Sequence, residues 1–262
     1  MIPFNQYALY QAGEACRPPI YGSSITFDGV DGYGISSSKI VSSNGVIRLD
    51  FNLKIGAISA GTESVIGWDY QGGGFFRMAL KISGSNLIIV RDGGFETIAT
   101  SIAANSTYEG YIEMDRTTAT CSLDWNINSG AISGSNTFAK AGDSPSSRFL
   151  MCNSLTSTFL PSNQYGNSTI YSAVITDNSN VIAQYNVEEQ TGSTLYDASG
   201  FGNNLTLNGG FTWSNGITDI YSWADNVGYS KPASVVIPRD ESSPTLDVLG
   251  NPLEFTGPAC GI

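Results

Sequence analysis

Apolar and polar side chains alternate with a period of two along most of this chain. In Ile47-Arg-Leu-Asp-Phe-Asn-Leu-Lys-Ile55, apolar residues are separated one by one by Arg48, Asp50, Asn52 and Lys54. A strand points successive side chains to opposite faces, so this segment is predicted to have one dry face and one wet face. The same reading places Cys121, Leu123, Trp125 and Ile127 on a shared face, and Phe76, Met78, Leu80 and Ile82 on another. Tyr108, Ile112 and Met114 continue the pattern opposite Glu109, Glu113 and Asp115.

Turn chemistry separates these runs. Gln71-Gly-Gly-Gly74, Ser83-Gly-Ser-Asn86, Asp92-Gly-Gly94 and Asp177-Asn-Ser-Asn180 fit hairpin or loop connections. No segment sustains a 3.6-residue period with caps, so at most short helical turns are expected. Strands wet on one face and closely spaced imply antiparallel sheets packed face to face. The predicted class is therefore all-β, a two-sheet antiparallel sandwich with Leu49, Phe51, Leu123 and Trp125 lining its interior.

Size and charge narrow the functional classes. The chain has 262 residues, and a compact domain of that length buries about 70–75% of the surface its unfolded chain exposes. No metal or disulfide staple is needed for such a core. Twelve Lys and Arg against 23 Asp and Glu give a formal charge of −11, a surface that repels phosphate backbones and anionic membranes. Nucleic acid is not an expected partner. No apolar run approaches the ~20 residues of a membrane span, and Met1-Ile-Pro-Phe-Asn-Gln has neither the basic start nor the apolar stretch of a cleaved leader. Cys16, Cys121, Cys152 and Cys260 lack C-x-x-C spacing. Cys121 is expected as a buried thiol, and a Cys16–Cys260 bridge is left open.

Two glycine-rich turns carry a resemblance. Thr26-Phe-Asp-Gly-Val-Asp-Gly-Tyr33 and Asp197-Ala-Ser-Gly-Phe-Gly-Asn203 each follow a short apolar segment, with Asp or Asn beside φ-tolerant glycines. As a pair they resemble the concanavalin A-like (laminin-G-like) jelly-roll domains, whose members often read F-D-G-x-D-D-Y and Y-D-x-S-G-x-G-N-x-x-x-L-x-G. Val46–Ile55 is similar to the family's long inner strand. Tyr108–Asp115 followed by Thr120–Asn128 resembles its W-x-H-V-A-V and L-Y-V-N-G hairpin, with Tyr108 at the Trp position and no His. Thr169–Ile175 resembles its late I-x-x-V-x-I strand. The resemblance spans about residues 22–213 and implies a jelly roll.

Composition changes beyond Trp213. Half of the ten prolines fall between Pro232 and Pro258, and proline cannot donate to a ladder. The layout expected is an irregular N-terminal arm (1–21), a sandwich (22–213) and a proline-rich C-terminal arm (214–262). Ile237-Pro-Arg-Asp-Glu-Ser and Leu249-Gly-Asn-Pro-Leu-Glu-Phe look like the ends of tailed-bacteriophage virion proteins that carry such jelly rolls.

Candidate sites follow from residue chemistry. The chain has no histidine, so Ser-His-Asp and Cys-His nucleophile systems cannot be assembled. Some enzymes with this jelly roll carry E-x-D-x-x-E on one strand; Glu113-Met-Asp115 is the nearest match here, but Thr118 stands at the third position, and the pair reads as a solvated face. Sugars stack apolar ring faces on aromatics and bond hydroxyls to Asp and Asn. In Trp68-Asp-Tyr-Gln-Gly-Gly-Gly-Phe-Phe76, alternation sends Trp68 and Phe76 to the core, leaving Tyr70 and Phe75 as platforms and Asp69 as polar partner, against the alternative of a plain hairpin loop. Asp28, Asp31, Asp197, Asn203 and Asn204 offer oxygens to calcium; Asx turns fixing strand ends are the favoured reading of the same residues. No cofactor is required, with calcium left open.

The expectation is a non-enzymatic virion component, assembled in the host cytoplasm. It is read either as a tail-fibre or baseplate module binding host surface polysaccharide, or as a decoration or fibre-anchoring protein contacting only other virion proteins. The resemblance implies a homo-oligomer, a trimer if it joins a fibre.

Overall fold

The structure, a computed structural model, describes residues 23–214 apart from 39, 42–43, 70–75, 143–147, 157–160, 188 and 190. Both expected arms, except Ser214 at the end of a strand, and the Cys16–Cys260 pairing lie outside the described residues, as do Tyr70 and Phe75. Contacts delimit one compact unit over Gly22–Gly216.

The described chain forms strands and, among its described residues, no helix. The first eight strands are β1 (Ser24–Phe27), β2 (Tyr33–Ser36), β3 (Val46–Ile55), β4 (Thr62–Trp68), β5 (Met78–Ser83), β6 (Asn86–Arg91), β7 (Gly94–Ala99) and β8 (Thr107–Asp115). Then come β9 (Thr120–Ile127), β10 (Ile132–Ala139), β11 (Leu150–Met151), β12 (Ser168–Asp177), β13 (Asn180–Tyr185), β14 (Thr194–Leu195), β15 (Leu205–Asn208) and β16 (Phe211–Ser214). They make two antiparallel sheets. The first runs β10-β9-β8-β3-β12-β1-β16, with β13 also on β12, and the second β14-β15-β2-β11-β4-β5-β6-β7.

The alternation read from sequence is what closes the core. Ile47, Leu49, Phe51, Leu53 and Ile55 of β3 are buried, as are Ile112 and Met114 of β8 and Cys121, Leu123 and Ile127 of β9. Opposite them stand Met78, Leu80, Ile82, Leu87, Ile89, Phe149 and Met151 of the second sheet and its approach. Trp68 and Phe76 enter this core as expected, their ring centroids 5.6 Å apart. Trp125 departs from expectation. It is only partly buried, because its neighbour β10 is an edge strand, and its ring lies where a Cβ at Gly134 would come within 2.5 Å.

The segment across the Asp28 turn forms two strands in different sheets. β1 belongs to the first sheet and β2 to the second, and the Asp28 turn carries the chain across. Asp28 Oδ1 accepts from the backbone N–H of Val30 (2.8 Å), Asp31 (3.2 Å) and Gly32 (3.1 Å). Asp31 Oδ1 accepts from Gly210 N at 2.6 Å. The Asp197 turn closes another edge. Its Oδ1 accepts from Gln184 N and Ser199 N, both at 2.9 Å, and its Oδ2 from Asn203 N at 3.0 Å. It ties the connection between β14 and β15 to β13.

The outer faces of the two sheets differ. On the first, Arg48, Asp50, Asn52, Tyr111, Glu113 and Asp124 are half-exposed. On the second, Ala79, Lys81, Ile88 and Val90 are buried. Residues 152–156 and 161–166 lie against that face beside β4. Ser64 N donates to Gln164 O (3.1 Å), and Leu155 N to Asp69 O (3.0 Å). Leu150 and Leu155 form a small separate apolar cluster with Ile35.

Candidate functional site

Strand register brings several functional groups to one corner of the sandwich. Met78 pairs with both Trp68 and Arg91, so the end of β4, the start of β5 and the end of β6 coincide. The ends of β8 and β10 reach the same corner through Asp92, whose Oδ2 accepts from Ala141 N at 3.0 Å and lies 3.3 Å from Arg116 Nη2. Its Oδ1 accepts from Arg77 N at 2.8 Å. Asp92 and Arg116 are fully buried, and Arg116 stacks 4.6 Å over the Phe76 ring. An ion pair in this position joins the two sheets.

Asp69 lies at the other side of the corner, and its role differs from the one expected. It is not an open polar partner for a sugar, because the carboxylate is buried and both oxygens are taken. Oδ1 accepts from Arg77 Nε (3.1 Å) and Nη2 (2.8 Å), and Oδ2 from Lys81 Nζ at 2.6 Å. Lys81 Nζ also donates to Gln164 Oε1, and Ser154 Oγ bonds Gln164 Oε1 and Ser162 Oγ. Burial opposes ionisation of Asp69, but Lys81 and Arg77 outweigh it and hold the carboxyl below its usual range. Burial also pulls the Lys81 ammonium below its ordinary value, offset in part by Asp69.

Segment 70–75 is thus bracketed by anchored residues. On one side stands Asp69; on the other, Phe76 is in the core and Arg77 is held by Asp69 and Asp92. Such an arrangement fixes the stems of a connection on a rigid scaffold, the setting in which binding residues commonly occur.

Four members of this corner were not legible as site residues. Phe95 of β7 pairs with Val90, itself opposite Ala79. This register puts Phe95 on the same outer face as Arg77 and Lys81, yet its side chain is 62% exposed. Its place beside the Asp92-Gly-Gly94 turn was the available signal. Buried charges at Lys81, Asp92 and Arg116 were hidden too, since nothing local distinguishes them from solvated residues.

The other candidates sit elsewhere. Glu113 is half-exposed on the first sheet's outer face, 4.0 Å from Arg48 Nη1. Asp115 accepts from Thr117 N (2.8 Å) and Oγ1 (2.6 Å), which fixes the turn into β9. Asp28 Oδ1 accepts backbone N–H groups of its own turn, the Asp197 oxygens accept from their turn and from Gln184 of β13, and Asn203 Nδ2 donates to Ile182 O at 2.7 Å. Asn204 Oδ1 accepts from Asp197 N at 2.9 Å. Among the described residues no group of three or more His, Cys, Asp or Glu is placed to hold a metal. Cys121 and Cys152 are buried free thiols, and burial raises the pKa of both, which makes them poor nucleophiles.

No protein-family model matches the sequence, and no curated protein matches it. Solved structures do resemble the fold. A candidate carbohydrate-binding protein from Bacteroides ovatus superposes with a TM-score of 0.53 at 13% identity, over 74% of this chain and 60% of that one. The match therefore spans less than two thirds of that protein's length. Weaker likenesses are an alginate lyase of polysaccharide lyase family 7 (TM-score 0.32, 14% identity, 51% of this chain and 59% of that one) and peanut lectin (0.31, 12%, 61% and 98%). At these identities what is shared is the β-sandwich.

Proposed function

We propose that this sandwich is a non-enzymatic glycan-binding module whose binding corner is formed by Phe95 and Arg77, with Tyr70 and Phe75 of the adjoining segment supplying further sugar-stacking rings. The observation that carries the reading is Phe95. It is a large apolar ring left in solvent on a paired strand, on the same sheet face as Arg77, two strands from the connection stem that buried ion pairs pin. A ring held this way stacks on a sugar face without losing conformational freedom on binding. The carbohydrate-binding description of the Bacteroides ovatus neighbour agrees with it.

Affinity electrophoresis of the full chain through a panel of bacterial surface polysaccharides tests the proposal. Phe95→Ala, Tyr70→Ala and Phe75→Ala each weaken retention about tenfold, near 1.4 kcal/mol, with thermal midpoints close to the parent's. If all three variants are retained like the parent, this corner is not the site. Release of reducing ends from any retained polysaccharide, lost in Glu113→Gln, would replace binding by cleavage.

The resemblance of the C-terminal segment to tailed-phage virion proteins supports placing the module on a virus particle, as a homo-oligomer and in a fibre as a trimer. A second reading, a decoration or anchoring protein with protein partners only, is favoured by the exposed side chains of Val30, Tyr196 and Phe201. In either case a chain ending at Ser214 folds but is missing from assembled particles. Particles that incorporate it normally would remove the tail from any anchoring role.

A further inference from the structure

The chain is strongly acidic, yet its described cations gather at the corner just described. Arg77 and Lys81 lie along it through Asp69, Arg91 through Glu96, Arg116 through Asp92, Lys140 through the Arg116 carbonyl and Arg148 by register, and only Arg48 and Lys54 among the described lysines and arginines lie elsewhere. Arg91 ends β6, and Lys140 follows β10. Arg148 stands two residues before Leu150, which pairs with Gly67, so it emerges beside Asp69.

Among the described residues, the carboxylates of the corner do not balance these charges. Arg116 is matched by Asp92, and Arg91 by Glu96 at 2.7 Å. Arg77 and Lys81 share the single carboxylate of Asp69. Lys140 Nζ is bonded to neutral acceptors, the Arg116 carbonyl at 2.7 Å and the Asn44 side chain. Arg148 has no carboxylate partner among the described residues. Asp115, next to Arg116, keeps its charge while accepting from Thr117, so six described cations face the four carboxylates of Asp69, Asp92, Glu96 and Asp115. Counted over the described residues, the corner keeps surplus positive charge on a molecule of formal charge −11, with Arg77, Lys140 and Arg148 all half-exposed.

A cation surplus maintained against the field of the whole chain is matched by an anionic ligand. From this, and resting on the glycan-binding reading above, we infer that the ligand is an acidic polysaccharide, its anionic groups read by Arg77, Lys140 and Arg148 while its ring faces lie on Phe95. Arginine forks suit carboxylate and sulfate alike. Charges at the rim of such a site set encounter rate and salt dependence, and the exposed ones are screened over a Debye length of about 8 Å at physiological ionic strength.

The test is affinity electrophoresis of the full chain in polygalacturonate, dextran sulfate and neutral dextran, at low and high salt. Retention by polygalacturonate or dextran sulfate but not dextran is expected, and which of the two retains the chain names the anionic group. The double variant Lys140→Gln/Arg148→Gln weakens that retention about tenfold at low salt, and the loss shrinks as salt rises. Neither residue belongs to the buried ion pairs, so the thermal midpoint holds. Retention by dextran as strong as by the acidic polymers, or unaffected by the double variant, overturns the inference while the glycan reading stands. Retention by no polysaccharide, here or in the surface-polysaccharide panel, overturns both.

Discussion

Asp197 shows how a single side chain can organise a connection. Its carboxylate receives three backbone N–H groups from residues 184, 199 and 203, fixing a turn rich in glycine that would otherwise sample many conformations. Burial opposes its ionisation, but the bonds from Ser199, Gln184 and Asn203 prevail and hold its pKa below the ordinary 3.8. A carboxyl with a depressed native pKa contributes stability that is present above its unfolded value and lost as pH falls through the native one. The urea midpoint should therefore drop as pH falls below about 4, with Asp28, Asp69 and Asp115 acting in the same direction. Asp197→Asn keeps one acceptor but turns an N–H₂ toward Asn203 N, costing about 1–2 kcal/mol at neutral pH and flattening the acid response. An unchanged midpoint at pH 7 would mean that the turn is held by its other bonds. The motif was legible because Asp and Asn beside glycine have a local meaning. Asp69 was misleading for the opposite reason. Its partners Arg77 and Lys81 come from the next strand, and a carboxylate beside aromatics looks open until register brings cations to it.

At the scale of the strand, alternation was the dependable signal where only one face is buried. β3 reads inside and outside residue by residue, and β8 and β9 follow. It was a weaker guide in the second sheet. Leu87-Ile-Ile-Val90 is a continuous apolar run, the mark of a strand covered on both faces. Short strands β11 and β14, two residues each, carry no period at all and exist only because neighbours template them. Close approach of strands also has local demands. Gly67 of β4 adopts φ +128°, and a Cβ there would sit 2.3 Å from Met78 O and 2.6 Å from Ala79 Cα. Gly67→Ala is expected to cost about 3 kcal/mol, from a strained backbone and the displaced β5. Chemical denaturation of that variant with a midpoint equal to the parent's would show that β4 and β5 separate more easily than this contact implies.

For the whole molecule, the sandwich was readable from pattern and the order of its motifs, whereas the asymmetry of its surfaces was not. One sheet shows solvent a polar face; the other is sealed beside β4 by residues 152–156 and 161–166 and held to its partner sheet at a corner by Arg116 and Asp92. Nothing in a linear sequence announces that cations spread from position 77 to position 148 will meet, because the meeting depends on which strand ends share a corner. The pairing of β1 with β16 has another outcome. Ser24 stands directly opposite Ser214, so the path into the sandwich and the path out of it pass within one strand spacing, about 5 Å. A unit with neighbouring entry and exit can be spliced into a surface loop of an unrelated host, or reopened at a hairpin after a short bridge joins those two serines, with its strand order intact.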